Sequence, residues 1–325
     1  MSSSTITRER HGRGFRYFQY GQPVTDNTKL EYVKRLAVPP AWRDVSIASS
    51  AKAKILARGT DAAGRQQAMY NPTFRARQDK AKFDRILRFG QRLPGLRRQV
   101  EKDLARRKLS REKVLACVVK LMDQAYFRVG NQQYAKENGH YGVTTLRSKH
   151  AGITTTSVTF DFIGKSGKHQ HKRIDDRQLA RIIKQLDELP GHEIFRYLDE
   201  DGAIHDINSS DVNAYIKQQM GDDYSAKDFR TWGGTLLASA ELGAIERARN
   251  EHQLKKIING CVRNVAEQLG NTPAVTRSSY IDPRIITAYE TGDSLSKVYG
   301  TIATMRPRKY LKPEERCLLK LLSRP

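Results

Sequence analysis

The chain has 325 residues, with 58 Lys and Arg against 35 Asp and Glu, and a formal charge of +23 at pH 7. Its 38% hydrophobic residues are enough to bury a core, which excludes disorder throughout, and its length fits two domains. No run of eighteen apolar residues is present to span a membrane, the first residues lack the apolar stretch of a secretory signal, and three distant cysteines (Cys117, Cys261, Cys317) suit neither a disulfide framework nor a zinc site. The expectation is a cytoplasmic protein whose surplus charge meets a polyanion, with nucleic acid ahead of a membrane surface.

Taken in chain order, residues 14–72 hold short apolar segments at 15–20, 45–47 and 53–57. Turn signals separate them: Gly21-Gln22-Pro23, Pro39-Pro40 and Gly59-Thr60-Asp61. Helical period shows only at 30–36. This predicts a small strand-rich N-terminal domain over residues 1–82, and a second domain over 83–325. Between 75 and 113, fifteen Lys and Arg stand against five Asp and Glu. Phe83, Ile86, Leu87, Leu93, Leu96, Val100 and Leu104 recur there at three- and four-residue spacings. That pattern predicts helices with one buried stripe and a basic face, broken near Pro94-Gly95. A face with so few acids interleaved suits phosphate contact better than simple solvation.

Helices then dominate. They are predicted over 112–128, over 178–189, over 211–220 with Ser210 as cap, from the Ser225-Ala226-Lys227-Asp228 capping box to about 242, and over 244–269 up to Gly270. One β element interrupts them. Residues 155–163 alternate with Val158, Phe160 and Phe162 on one face, Gly164-Lys165-Ser166-Gly167 forms a turn, and 169–174 returns. Lys165 and Lys168 thus sit at the tip of a hairpin. The class is α+β: a strand-rich domain, then a mostly helical one carrying a β-hairpin.

Common catalytic signatures are missing. There is no GxxxxGK[ST] loop, HExxH, CxxC or GxSxG in the sequence. His169-Gln170-His171 alternates on a strand and reads as solvent-facing. Asp199-Glu200-Asp201-Gly202 and Asp222-Asp223 read as a turn and a loop, so no acidic cluster suits a two-metal site. Phosphodiester chemistry without a metal needs arginines, a lysine and hydrogen-bond donors around the phosphate, with a side chain as nucleophile.

Four segments fit that requirement in order and spacing. They are Arg128-Val129-Gly130-Asn131-Gln132-Gln133-Tyr134 with Tyr141-Gly142-Val143-Thr144-Thr145-Leu146; Phe162-Ile163-Gly164-Lys165-Ser166-Gly167; Lys227-Asp228-Phe229-Arg230-Thr231-Trp232; and Asn271-Thr272-Pro273 with Ser278-Ser279-Tyr280-Ile281-Asp282-Pro283. Together they resemble the poxvirus-type branch of the type IB DNA topoisomerases, its bacterial members in particular. Gly12-Arg13-Gly14-Phe15-Arg16-Tyr17, Pro39-Pro40-Ala41-Trp42 and Asp61-Ala62-Ala63-Gly64-Arg65 look like that family's DNA-clamping domain. The likeness spans roughly residues 12–300.

The resemblance implies a monomeric enzyme on double-stranded DNA, nucleoid-associated, with no cofactor, metal, ATP or membrane. The fold it implies is the type IB topoisomerase/tyrosine recombinase fold, closing as a C-shaped clamp around the duplex. Tyr280 is implied as nucleophile, Arg128, Arg230 and Asn271 as donors to the nonbridging oxygens, and Lys165 as general acid with Arg128 assisting. Tyr134, Arg65 and Lys168 are implied as DNA contacts. Asn271 stands where the poxvirus and eukaryotic enzymes have histidine, so its donor is uncharged. Two rivals remain: a tyrosine recombinase, whose usual HxxR has Lys227 in place of the histidine here, and a basic DNA-binding protein without catalysis.

Overall fold

The computed structural model describes residues 5–246, 248–292 and 295–324. The chain divides into two compact units between Lys82 and Phe83.

The first unit is a sheet with one helix. Its elements are β1 (Thr5–His11), β2 (Gly14–Gln19), β3 (Gln22–Pro23), α1 (Asn27–Arg35), β4 (Arg43–Ala48), β5 (Ile55–Thr60) and β6 (Gln66–Tyr70). The strands pair antiparallel in the order β3-β2-β1-β4-β5-β6. Ile6, Val45, Ile47 and Ala57 from the sheet pack with Val33 of α1 and Val38 into a small core. Sequence reading missed β1 because Ile6 is the sole aliphatic residue of its TITRERH segment. Pairing on both edges holds it centrally. Its Arg8 supports the fold from inside, donating to the carbonyls of Val38 (2.9 Å), Pro39 (3.0 Å) and Trp42 (2.8 Å).

A long helix, α2 (Pro72–Leu104), crosses the boundary between the units. It continues through Pro94, contrary to the predicted break. A proline inside a helix costs roughly 3 kcal/mol. Here Phe89, Leu93, Leu96, Val100 and Leu104 are all buried on either side of it, and that burial outweighs the lost hydrogen bond.

The second unit is mostly helical. It contains α3 (Arg111–Ala125), α4 (Gln132–Asn138), α5 (Arg177–Asp187), α6 (Ser209–Met220), α7 (Ala226–Ala244), α8 (Glu251–Leu269), α9 (Pro273–Ser279), α10 (Pro283–Thr291), α11 (Leu295–Tyr299) and α12 (Pro313–Leu322). The expected hairpin is present as β8 (Ser157–Ile163) and β9 (His169–Asp175), and β7 (Ala151–Ile153) adds a third strand beside β8. A second small pair, β10 (Arg196–Leu198) and β11 (Ile204–Asp206), flanks the Asp199–Gly202 turn.

Three boundaries differ from the sequence reading. First, α3 stops at Ala125 and not at Arg128, because Tyr126 turns left-handed (φ 57°) and Phe127 packs on Phe160 and Phe162 at 5.3 and 5.9 Å. Second, α6 is capped by Asn208 and not Ser210: Asn208 Oδ1 accepts from the N–H groups of Ser210 and Asp211. Third, α8 begins at Glu251, with Asn250 as its cap, whereas the charged 245–250 stretch is not helical where described. Toward the C-terminus, α12 is anchored by buried Cys317, Leu318, Leu321 and Leu322.

Candidate active site

The sequence-predicted catalytic residues converge in the second unit, and local structure explains why. Arg128 follows the left-handed turn at Tyr126. Its carbonyl accepts from Val143 N–H at 2.8 Å, and Val129's carbonyl accepts from Thr144 N–H at 2.8 Å, so the two halves of the first motif clasp each other. Tyr141 N–H donates to the Ile163 carbonyl at 2.8 Å, joining that motif to the hairpin. Arg230 lies one turn into α7, behind the Ser225–Asp228 capping box. Asn271 follows the left-handed Gly270 that ends α8.

Tyr280 ends α9, its N–H on the Thr276 carbonyl at 3.0 Å. Buried Thr235 of α7 holds the backbone there. Its hydroxyl donates to the Tyr280 carbonyl (3.2 Å) and accepts from Asp282 N–H (3.1 Å). Two glycines make this approach possible. A Cβ on Gly234 would lie 2.7 Å from the Tyr280 carbonyl, and one on Gly233 would lie 2.2 Å from the Tyr126 ring.

The side chains form a cluster of cations around one phenol. The Arg230 guanidinium, 4% exposed, lies 5.1 Å from the centre of the Tyr280 ring. It donates from Nη1 to the Tyr126 carbonyl (2.6 Å) and from Nη2 to the Leu269 carbonyl (2.8 Å), while its Nε has no partner. Arg128 donates from Nη2 to the Gly270 carbonyl (3.4 Å) and to Asn271 Oδ1. That contact turns the Asn271 amide so that Nδ2, buried, has no partner. Among the described residues none of these cations pairs with a carboxylate. Buried donors left unmet, beside cations left unpaired, describe a site shaped for an anion.

The titration behaviour follows from this geometry. Burial alone would raise the Tyr280 phenol; the charge of Arg230 and its contact with the hydroxyl, then Arg128 and Lys165, outweigh burial and bring it below its ordinary value. Desolvation and the neighbouring Arg230 push Arg128 down to about 10. Desolvation likewise lowers Arg230.

Lys165 is exposed at the hairpin tip, where Ser166 turns left-handed (φ 63°), and its charge reaches the Tyr280 phenol. Lys168, also exposed, closes the same turn through its carbonyl, which accepts from Gly164 N–H at 2.8 Å. Tyr134 is on α4, 44% exposed, with its N–H capped by Asn131 Oδ1. Arg65 lies in the first unit in the β5–β6 turn, ion-paired with Asp61 at 2.8 Å. Tyr289, an alternative nucleophile by residue type, is buried, and its hydroxyl donates to the Glu246 carbonyl at 2.9 Å.

Sequence reading missed Tyr126, Gly233, Gly234 and Lys172. The glycine pair inside a helix was the readable signal. Lys172 had none, since it alternates with exposed His171 and Arg173 on a hairpin strand.

The family model described as the eukaryotic DNA topoisomerase I catalytic core matches residues 71–298, and the bacterial DNA topoisomerase IB N-terminal domain matches residues 14–61. The chain is 34% identical over 284 residues to a DNA topoisomerase 1B of Acanthamoeba polyphaga mimivirus, covering 85% of this chain and 84% of the relative. It is 24% identical over 287 residues to the DNA topoisomerase 1B of Vaccinia virus (strain Copenhagen), with 85% and 87% covered. A DNA topoisomerase 1 of Rabbit fibroma virus (strain Kasza) matches at 24% over 276 residues, with 82% and 83% covered.

Proposed function

The chain belongs to the type IB DNA topoisomerase family, and from that premise we propose how its own residues cut one DNA strand, let it swivel and reseal it. Tyr280 attacks a backbone phosphorus and expels the 5′ oxygen, leaving a 3′-phosphotyrosyl enzyme. Arg128, Arg230 and the Asn271 Nδ2 donor hold the nonbridging oxygens as charge builds on them. Lys165 protonates the departing oxygen, with Arg128 assisting. The free end rotates, and reversal reseals the strand. The phosphotyrosyl ester retains the bond energy, so the cycle consumes no ATP. The protein's own cations neutralise the phosphate, so it calls for no metal.

The observation that carries this reading is the cluster itself: a phenol drawn below its ordinary value among buried arginines that lack any carboxylate partner among the described residues. In the same reading the two units close on duplex DNA as a C-shaped clamp held by phosphate contacts. Arg65, Tyr134 and Lys168 touch the DNA, and one copy suffices, working on the nucleoid. The test is relaxation of a supercoiled plasmid in excess EDTA. Wild-type protein relaxes it, and Tyr280→Phe binds DNA but gives neither relaxation nor SDS-trapped adduct. A requirement for paired cognate sites would favour a recombinase. Binding without relaxation would leave a DNA-binding protein, and adducts undiminished in Tyr280→Phe would move the nucleophile elsewhere.

A further inference from the structure

The hairpin that carries Lys165 is fastened to the end of α8 through two residues with no role above. Gln170 and Lys172 share the inward face of β9, whereas His169, His171 and Arg173 between and beside them are exposed. Gln170, 7% exposed, lies against the left-handed Gly270 so closely that a Cβ there would come within 2.2 Å of its Nε2. Two residues along, Lys172 Nζ donates to the Gln268 carbonyl.

The next two carbonyls of the same chain end are also taken, Leu269 by Arg230 and Gly270 by Arg128. Three successive carbonyls at the negative end of α8 therefore hold three cations, from β9, α7 and the segment after α3. Asn271, the next residue, extends from that same end.

We propose that Lys172 is a positioning residue, which ties the Lys165 hairpin to the end of α8 so that the proton donor keeps its geometry against Tyr280. This rests on the reading of Lys165 as proton donor. The surroundings fit the role. The groups facing Lys172 are Arg230 on α7, Arg128 after α3 and the α8 carbonyl, and no ion pair among the described residues includes it. Desolvation, then Arg230 and Arg128, push its ammonium down to about 8, far from the behaviour of a solvated surface lysine. Slight misplacement of a catalytic group costs on the order of 100-fold in rate, so one such bond is enough to matter.

The experiment is single-turnover cleavage by the full chain on normal DNA and on DNA with sulfur at the bridging 5′ position. A thiolate leaves without a proton, so the sulfur substrate does not need Lys165. Lys172→Met keeps the stem and removes the donor. It slows cleavage of normal DNA by roughly 10- to 100-fold and returns close to the wild-type rate on the sulfur substrate, while Lys172→Arg, which keeps a charged donor, recovers most of the loss on normal DNA. Equal impairment on both substrates would overturn the proposal, because Lys172 would then serve the nonbridging oxygens or the whole site. An unimpaired Lys172→Met would overturn it too. If Lys172→Met does not melt cooperatively, Lys172→Gln goes through the same pair of substrates with the same criteria. Lys165→Ala run alongside separates the two ideas: its failure to recover on sulfur would sink the reading of Lys165 itself.

Discussion

Arg97 and Arg230 are two largely buried arginines of the helical unit, and their surroundings differ in one respect. Arg97 is enclosed by acids. It donates to both Asp123 oxygens (2.7 and 2.8 Å), both Glu315 oxygens (2.7 Å each) and the Tyr310 carbonyl (2.8 Å). Desolvation would lower it, but Glu315 and Asp123 outweigh that and raise it. Arg230 has two carbonyls, an unpartnered Nε and a tyrosine, and desolvation leaves it lowered. The first arginine brings its anions with it and serves stability. The second is short of negative charge, together with Arg128 and Lys172, and in the proposed mechanism a phosphate diester supplies what it lacks.

Substitution should separate the two sites cleanly. Arg230→Ala is expected to lose more than about 4 kcal/mol of transition-state stabilisation, since it removes a charged two-pronged donor. Glu315→Gln, which leaves Arg97 short of an anion, is expected to cost on the order of 3 kcal/mol of folding stability while the folded fraction cleaves nearly as wild type. Melting curves and single-turnover cleavage, measured on both variants, check this. A Glu315→Gln that cleaves as poorly as Arg230→Ala would erase the distinction.

A smaller effect comes from the neutral donor. Asn271→Ala should lose about 2–3 kcal/mol in cleavage, as for other uncharged oxyanion donors. Single-turnover rates that ranked Asn271→Ala below Arg230→Ala would contradict the charge argument.

The smallest effect is in the pH dependence of stability, where both regions gain stability as pH rises but in two separate windows. Burial would raise Glu315, but Arg97 lowers it below its ordinary 4.5, so its contribution is present above that value and is lost as pH falls. Lys172 falls from an ordinary 10.5 to about 8 in the folded site. Between those values the unfolded chain keeps a proton that the folded chain has released, so stability rises with pH across that window. Lys172→Met should remove the rise, and Glu315→Gln should flatten the acid loss. Melting temperatures as a function of pH read both; a Lys172→Met profile identical to wild type between pH 8 and 10 would mean the ammonium is solvated after all.

The same contrast explains what could be read in the sequence. Arg230 was legible because its helix announces itself: a capping box at Ser225 and a core of Phe229 and Trp232 fix which way the arginine turns. Tyr280 was legible from Asp282-Pro283, which does start α10. The Val158-Phe160-Phe162 alternation fixed the hairpin face. What stayed hidden depended on distant partners. Pro94 reads as a break unless the buried residues on both sides are known to share one core. Arg97 looked like part of a basic face until Glu315, some two hundred residues away, was seen against it. Lys172 has no local signal at all, because the Gln268 carbonyl it meets comes from another element.

In the proposed mechanism the cation cluster serves to place one phosphate on Tyr280. The most direct measurement is to trap the covalent complex on a DNA substrate whose cleaved end diffuses away, digest it, and locate the nucleotide-bearing peptide by mass spectrometry. The expected product is a single modified peptide with the 3′-phosphate on Tyr280, formed in EDTA and strongly reduced in Arg230→Ala. A nucleotide on Tyr289, on any other side chain, or none at all from an enzyme that still relaxes DNA would contradict it.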